Sequence, residues 1–328
     1  MKGLIVLRKI NEEIRGVKTV AISGHIRPDG DCVGSCVGLS LYLKENFPEL
    51  EQVDVYLEEI PESYHILRGT QDILHDCTAK RQYDLFIALD CGDKERLGAA
   101  VNYFESARRT LCYDHHISNC GFADVNYVDP QVSSTSELVY RAMDTEEISK
   151  ETAEALYMGI VHDTGMFQYS CTSPETHMAA AELLKKGIRA SEIVDVTYME
   201  KTYVQNQILG RALLESIMVL DRKCIISSIR MKDMEFYGIT AKDLDGIVSQ
   251  LRLTKGVEVA MFLYEIGNHE YKVSLRSKSV VDVSAIAKLF GGGGHVRAAG
   301  CTMQGSFYDV VNNLTKYIEK QMKAAEEK

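Results

Sequence analysis

The sequence predicts an α/β protein: an N-terminal domain on a parallel sheet, joined by a helical connector to a smaller α/β domain. Three observations predict it. Short apolar runs alternate with helical spacing through the first third of the chain, as a parallel sheet with crossover helices requires. Helical patterns then dominate to about Leu220, and strand patterns return beyond it. The 328 residues also exceed what one typical core holds. The expected boundaries are 1–195 for the first domain, 196–218 for the connector and 219–328 for the second domain.

The elements follow in order. Thr19–Ser23 is a β-rich run, and Gly30–Asn46 has helical spacing directly after it. Residues 53–57 read as the next strand. Residues 84–90, DLFIALD, form a continuous apolar run closed by a carboxylate, the mark of a buried strand. Arg109–Asp114 is another strand. Residues 133–136, SSTS, followed by Glu137, look like a helix N-cap. The long helical stretch at 204–218 is the best connector. Beyond it, 224–230, 258–264 and 271–276 are strand-like, with Gly267 and Asn268 marking a hairpin turn, and 282–290 and 307–323 read as helices.

Composition narrows the function. A hydrophobic content of 45% and a charged content of 26% are ordinary for a soluble globular protein. The net charge of −10 argues against long nucleic acid as a partner, while a short anionic substrate held by metals and arginines stays compatible. No apolar run is long enough to span a bilayer, so no membrane partner is expected. Leu4, Ile5, Val6 and Leu7 precede Arg8, Lys9, Glu12, Glu13 and Arg15, which reads as an amphipathic helix and not a signal peptide. The nine cysteines contain no CxxC pair and point to reduced core thiols in a cytoplasmic protein. Cys32 and Cys36 fall one helical turn apart, but a zinc site there lacks two further ligands of the right kind.

The chemistry lies in four short segments: HIRPDGD at 25–31, ALD at 88–90, DHHISN at 114–119 and HDTG at 162–165. Each sits at or near the end of an apolar run, and in open parallel sheets ligands bind outside the carboxyl ends of the strands. Hard divalent cations want oxygen ligands, with imidazole added for Mn²⁺ or a later transition metal. Asp29 and Asp31, two apart on a tight turn, can face different ions, and Asp90 at a strand end can bridge both. Two ions so bridged stand about 3.5–4 Å apart, clamp the attacking and leaving oxygens, and activate a water for in-line attack on phosphorus. Singly, each Asp reads as a cap and each His as a hydrogen-bonded residue; it is their order and placement that argue for a metal centre.

Near the C-terminus, residues 291–300 read GGGGHVRAAG. Glycines there let backbone N–H groups turn toward an anion, so the segment reads as an anion-binding loop of Gly292, Gly293, Gly294, His295 and Arg297. Arg276 and Ser277 end a strand of the same domain, and Arg276 suits bidentate phosphate contact.

In this order the four segments resemble the motifs of the DHH phosphoesterase family, and GGGGHVRAAG resembles its DHHA1 C-terminal domain. The resemblance covers nearly the whole chain. It implies a Mn²⁺-dependent phosphoesterase with its active site in the cleft between the two domains. It also implies a ligand set: one ion would take His25, Asp29 and Asp90, the other Asp31, Asp90, His115 and Asp163. Asp114 would orient an imidazole, His116 would face the substrate phosphate or assist the leaving group, and Asn119 would complete the motif in a supporting role. His162 is not one of the family's recurrent ligands, and a structural role is expected of it.

Within the family, RecJ-type exonucleases add a nucleic-acid-binding domain for which this chain has no room. The membrane-anchored cyclic-di-AMP phosphodiesterases add transmembrane segments, and the family's pyrophosphatases and exopolyphosphatases carry a different C-terminal domain. The compact type that remains implies hydrolysis of very short oligoribonucleotides and linear dinucleotides to mononucleotides, with 3′-phosphoadenosine 5′-phosphate (pAp) as a second substrate. The alternatives are a phosphodiesterase preferring cyclic dinucleotides or pApA, and a nucleotide-binding sensor without catalysis. A homodimer is the default assembly.

Overall fold

A computed structural model describes residues 7–326. Contacts divide the chain into two compact units, Met1–Glu200 and Lys201–Lys328.

The first unit is built on six parallel strands: β1 (Thr19–Ser23), β2 (Gln52–Tyr56), β3 (Ile73–Leu74), β4 (Leu85–Leu89), β5 (Arg109–Asp114) and β6 (Val125–Val128). Their order across the sheet is 3-2-1-4-5-6, and every neighbouring pair is parallel. The order reverses between β1 and β4, so a crevice opens beyond the carboxyl ends of those two strands. Side chains alternate along β4. Leu85, Ile87 and Leu89 enter the larger core cluster, while Phe86 and Ala88 enter the cluster on the opposite face.

The helices of this unit are α1 (Ile10–Glu13), α2 (Gly30–Asn46), α3 (Val101–Ser106), α4 (Thr135–Ala142), α5 (Lys150–Asp163), α6 (Pro174–Lys185) and α7 (Ala190–Val194). Helix α2 is buried on all sides from Gly30 to Leu43, because small and apolar residues occupy its whole circumference. It meets α5 backbone to backbone: a Cβ on Gly34 would stand 2.5 Å from the Ala155 carbonyl oxygen. That approach brings the start of α2 and the end of α5 to one place.

The second unit has a six-stranded mixed sheet of β7 (Ile217–Val219), β8 (Cys224–Ile229), β9 (Val259–Gly267), β10 (Glu270–Ser277), β11 (Gly293–His295) and β12 (Ala298–Gln304), in the order 11-12-10-9-8-7. Only β8 and β9 pair parallel. Around it lie α8 (Tyr203–Leu214), α9 (Met231–Tyr237), α10 (Ile247–Arg252), α11 (Val283–Lys288) and α12 (Phe307–Glu326). Ile208 and Ala212 of α8 share a core cluster with Ile225, Leu251 and Phe262. The expected helix at 204–218 therefore ends earlier, at Leu214, and Ile217–Val219 pairs antiparallel with β8.

Two further differences have local causes. β3 and β6 were not anticipated: β3 has two residues, and β6 alternates too briefly for its period to register. Of the expected N-terminal amphipathic helix, Leu4, Ile5 and Val6 lie outside the described residues, and Ile10–Glu13 forms a single helical turn. Among the described residues, no helix is long and apolar enough to cross a membrane, and all nine cysteines are free thiols.

Candidate metal centre

His25, Asp90 and Asp114 stand at the carboxyl ends of β1, β4 and β5, Asp29 and Asp31 at the start of α2, and Asp163 at the end of α5. The four segments singled out in the sequence thus converge. Nε2 of His25 lies 3.4 Å from Oδ2 of Asp90 and 3.6 Å from Oδ1 of Asp29. Nε2 of His115 lies 3.5 Å from the other Asp90 oxygen, Oδ1, and 3.0 Å from Oδ2 of Asp163. The two oxygens of Asp90 therefore face different imidazoles, an arrangement open to a carboxylate shared between two ions.

Each group is held by local geometry. Asp29 is the N-cap of α2, its Oδ1 accepting from the N–H groups of Asp31 and Cys32, both at 3.1 Å. Its side chain remains 58% exposed. Asp31 is fully buried and accepts from the N–H of Thr135 at 2.6 Å and of Ser136 at 2.9 Å, at the start of α4. Asp90 has a left-handed backbone, φ 55°, uncommon for a residue with a side chain, and its N–H is bonded to the Tyr113 carbonyl. Nδ1 of His25 is 2.8 Å from the Ile26 carbonyl oxygen. A proton on Nδ1 satisfies that contact and leaves Nε2, the nitrogen facing Asp90, as the lone-pair donor.

His116 is oriented by Asp114, whose Oδ1 stands 2.7 Å from Nδ1. The other oxygen of Asp114 accepts from Asn119 Nδ2 at 2.7 Å, and Asn119 also bonds the Cys91 carbonyl oxygen and the Gly121 N–H. His162 points elsewhere. Its Nε2 meets Thr197 Oγ1 at 3.0 Å and its ring lies edge-on to Tyr64 and Tyr198, packed under Gly30. Burial pushes its pKa down to about 4.

The electrostatics suit a cation. Burial, then the nearby charges of Asp90 and Asp163, push the Asp31 carboxyl well above its usual range. Burial alone would lower the His25 and His115 imidazoles, but the carboxylates around them win and raise each to about 12. Several carboxylates and imidazoles thus share one buried space, with protons standing where positive charge is wanted. Three groups bring their donor atoms within 4.8 Å: His25, Cys32 and Asp90; Asp90, His115 and His116; and Asp31, His115 and Asp163. This donor set fits divalent ions. Cys32 was not foreseen in it; burial raises its thiol, and Sγ lies 3.9 Å from the His25 carbonyl oxygen.

In the second unit, only the first half of the glycine run, Gly291 and Gly292, is a loop. Gly293–His295 is an edge strand paired with Ala298–Gly300. Cβ atoms on Gly292 and Gly294 would stand 2.2 Å from the Gly300 oxygen and 2.4 Å from the Ala298 oxygen, so close strand packing requires those two glycines. Gly293 has open space around it. His295 and Arg297 are exposed, and Arg297 Nη1 donates to the Val281 carbonyl at 2.9 Å. Arg276 is half-buried, with Nη1 on its neighbour's Leu275 oxygen. Ser277 is buried, and its hydroxyl donates to the Val281 oxygen at 2.6 Å.

Thr135 and Ser136, like Cys32, are residues of the site that sequence reasoning missed. The SSTS run signalled a helix cap, but not that the cap would face Asp31 and Asp90.

The fold and site define a class, and comparison with known proteins agrees. The DHH family, N-terminal domain, matches residues 19–160, and the DHHA1 domain matches residues 221–324. The chain belongs to the DHH family of phosphoric ester hydrolases, in the form that carries a DHHA1 domain. It is similar to the bifunctional oligoribonuclease and PAP phosphatase NrnA of Bacillus subtilis, 27% identical over 87% of this chain and 89% of that protein. The protein of the same description from Thermus thermophilus is 29% identical over 91% and 89%. A crystal structure of an exopolyphosphatase-related protein from Bacteroides fragilis superposes with a TM-score of 0.86 at 27% identity, covering 95% of this chain and 94% of that one.

Proposed function

We propose that this protein hydrolyses very short oligoribonucleotides and linear dinucleotides to mononucleotides, and removes the 3′-phosphate of pAp, with Mn²⁺ as its metal. The observation that carries the reading is Asp90, whose two oxygens face the His25 and the His115 groups separately. The relatives described as oligoribonucleases and PAP phosphatases supply the substrate class.

His25, Asp29 and Asp90 would hold one ion, and Asp31, Asp90, His115 and Asp163 the other. Bound there, divalent ions supply Lewis acidity at the phosphoryl group and an activated water near neutral pH. The chain's own groups do the rest. Asp114 holds the Nδ1 side of His116 and raises its pKa, so that Nε2 carries a proton to give to the leaving oxygen. The second unit would bind the substrate through Arg276, Arg297, His295 and the backbone of Gly293 and Gly294, while Gly292, whose N–H is bonded to the Ala287 carbonyl, would shape the turn that leads into them. Ser277 would act by shaping the site and not by direct contact, because its hydroxyl is committed to the Val281 carbonyl and its N–H to the Arg297 carbonyl.

The test is product analysis with Mn²⁺ on a 5′-phosphorylated diribonucleotide, a longer RNA, pAp, cyclic di-AMP and pyrophosphate, each with the wild type and Asp90→Ala. Rapid loss of the dinucleotide and of pAp, with the longer RNA spared and Asp90→Ala folded but inactive, is expected. Turnover of pyrophosphate alone would overturn the substrate reading, and activity surviving in Asp90→Ala would overturn the metal reading.

A further inference from the structure

The start of α4 ties two buried carboxylates of the site together. Asp31 and Asp90 lie on different elements, and one residue, Thr135, contacts both. Its N–H donates to Oδ2 of Asp31 at 2.6 Å, and its hydroxyl stands 3.1 Å from Oδ1 of Asp90. Thr135 is fully buried, so no water competes for either contact. The next N–H, of Ser136, takes the other Asp31 oxygen at 2.9 Å.

This arrangement has a mechanical consequence. A carboxylate can rotate about its Cβ–Cγ bond with little cost, and a bridging one must not. The left-handed backbone of Asp90 sets where the side chain starts, but not the plane of its carboxylate. The hydroxyl of Thr135 donates to Oδ1, the oxygen that also faces His115 and His116, and so acts on that plane beside the imidazoles. A β-branched side chain is stiff about its first torsion, so the hydroxyl is itself well aimed. With Oδ1 so held beside His115, Oδ2 is left toward His25.

We infer that Thr135 is a positioning residue for the metal pair: its hydroxyl fixes the Asp90 carboxylate in the orientation that lets one oxygen serve each ion. This rests on the two-metal reading above. Outer partners of metal ligands are worth about 10–100-fold in metal affinity.

The experiment is Mn²⁺ titration of the metal-free full chain by calorimetry, with electron paramagnetic resonance to separate an exchange-coupled ion pair from isolated ions. Wild type, Thr135→Val and Thr135→Ser are compared, and thermal unfolding of each metal-free protein is recorded. Thr135→Ala is included as a second hydroxyl-free variant, should the extra methyl of valine not be accommodated. The expected result is two ions and a coupled signal for wild type and Thr135→Ser. The hydroxyl-free variants should bind the second ion about 10–100-fold more weakly and show an isolated-ion signal at matched loading. Hydroxyl-free variants that form the coupled pair with wild-type affinity would overturn the inference, even if less heat-stable, because the role would then be structural only. Serine failing as badly as valine would also overturn it, since the hydroxyl would not be the operative group. Wild type that takes up no pair would overturn the two-metal reading itself, a result visible before any variant is compared.

Discussion

The imidazole of His162 fills the space that a side chain on Gly30 would need: a Cβ there would lie 2.2 Å from its Cγ. Thr197, Tyr64 and Tyr198 pin the ring, so it cannot move aside cheaply. Gly30→Ala should therefore cost about 1–3 kcal/mol, the usual price of overpacking. The double variant with His162→Ala should lose less than the sum of the singles, because the collision is then gone. Urea unfolding of the metal-free proteins measures both, and strict additivity would contradict the contact.

Asp114 accepts from His116 with one oxygen and from Asn119 with the other. In Asp114→Asn, the amide presents N–H groups to one of these donors. We expect the turnover rate to fall about 10–100-fold while two ions still bind, since the loss is in imidazole orientation. Steady-state kinetics on the dinucleotide, beside metal analysis, checks this. Loss of an ion would mean that Asp114 supports the ligands directly.

Gly292, just before the edge strand, and Gly293, its first residue, should behave differently. Gly292→Ala drives a Cβ to 2.2 Å from the Gly300 oxygen and should destabilise the hairpin. Gly293→Ala meets open space at an ordinary backbone angle, so its stability should stay within about 0.5 kcal/mol of wild type. If the strand backbone receives phosphate, Gly293→Ala should raise KM for the dinucleotide without lowering the melting temperature. An unchanged KM would remove Gly293 from the substrate contacts.

Glu258 accepts from the N–H groups of Ser279, Val280 and Val281, tying down the turn that follows Ser277. Burial alone would raise its pKa, but these hydrogen bonds outweigh it and hold the carboxyl below its usual range. The folded form thus favours the ionised group, and as pH falls the unfolded chain takes up the proton first. The stabilisation is present above the ordinary glutamate pKa of about 4.3 and is lost as pH drops through that value toward the folded one. Urea unfolding from about pH 6 to about pH 3 should show this loss, and Glu258→Gln should flatten it.

Much of the site was legible along the chain. A carboxylate closing an apolar run, as Asp90 closes 84–90, can only emerge at a strand end, and ligands gather at such ends in a parallel sheet. His25 and Asp114 follow the same logic, and Asp29, read as part of a tight turn, is found to cap the helix Gly30–Asn46. The glycine run reads as a loop throughout because glycines carry no side-chain period, whereas Gly293 and Gly294 lie in a strand. Its strand exists only by pairing with Ala298–Gly300.

The sequence by itself determined the two-part α/β architecture and the residue types of the candidate metal centre, because hydrophobic period and chain order encode them locally. Tertiary structure alone decided how those residues are aimed. Thr135, the first residue of α4, meets Asp31 across 104 residues of chain, and it does so because Gly34 lets α2 pack flush on α5 and Gly159 lets α5 pack flush on α4. Which oxygen of Asp90 faces which imidazole likewise depends on a hydroxyl 45 residues away. A hydrogen bond is directional over about 3 Å, while a sequence pattern constrains only which face a residue occupies.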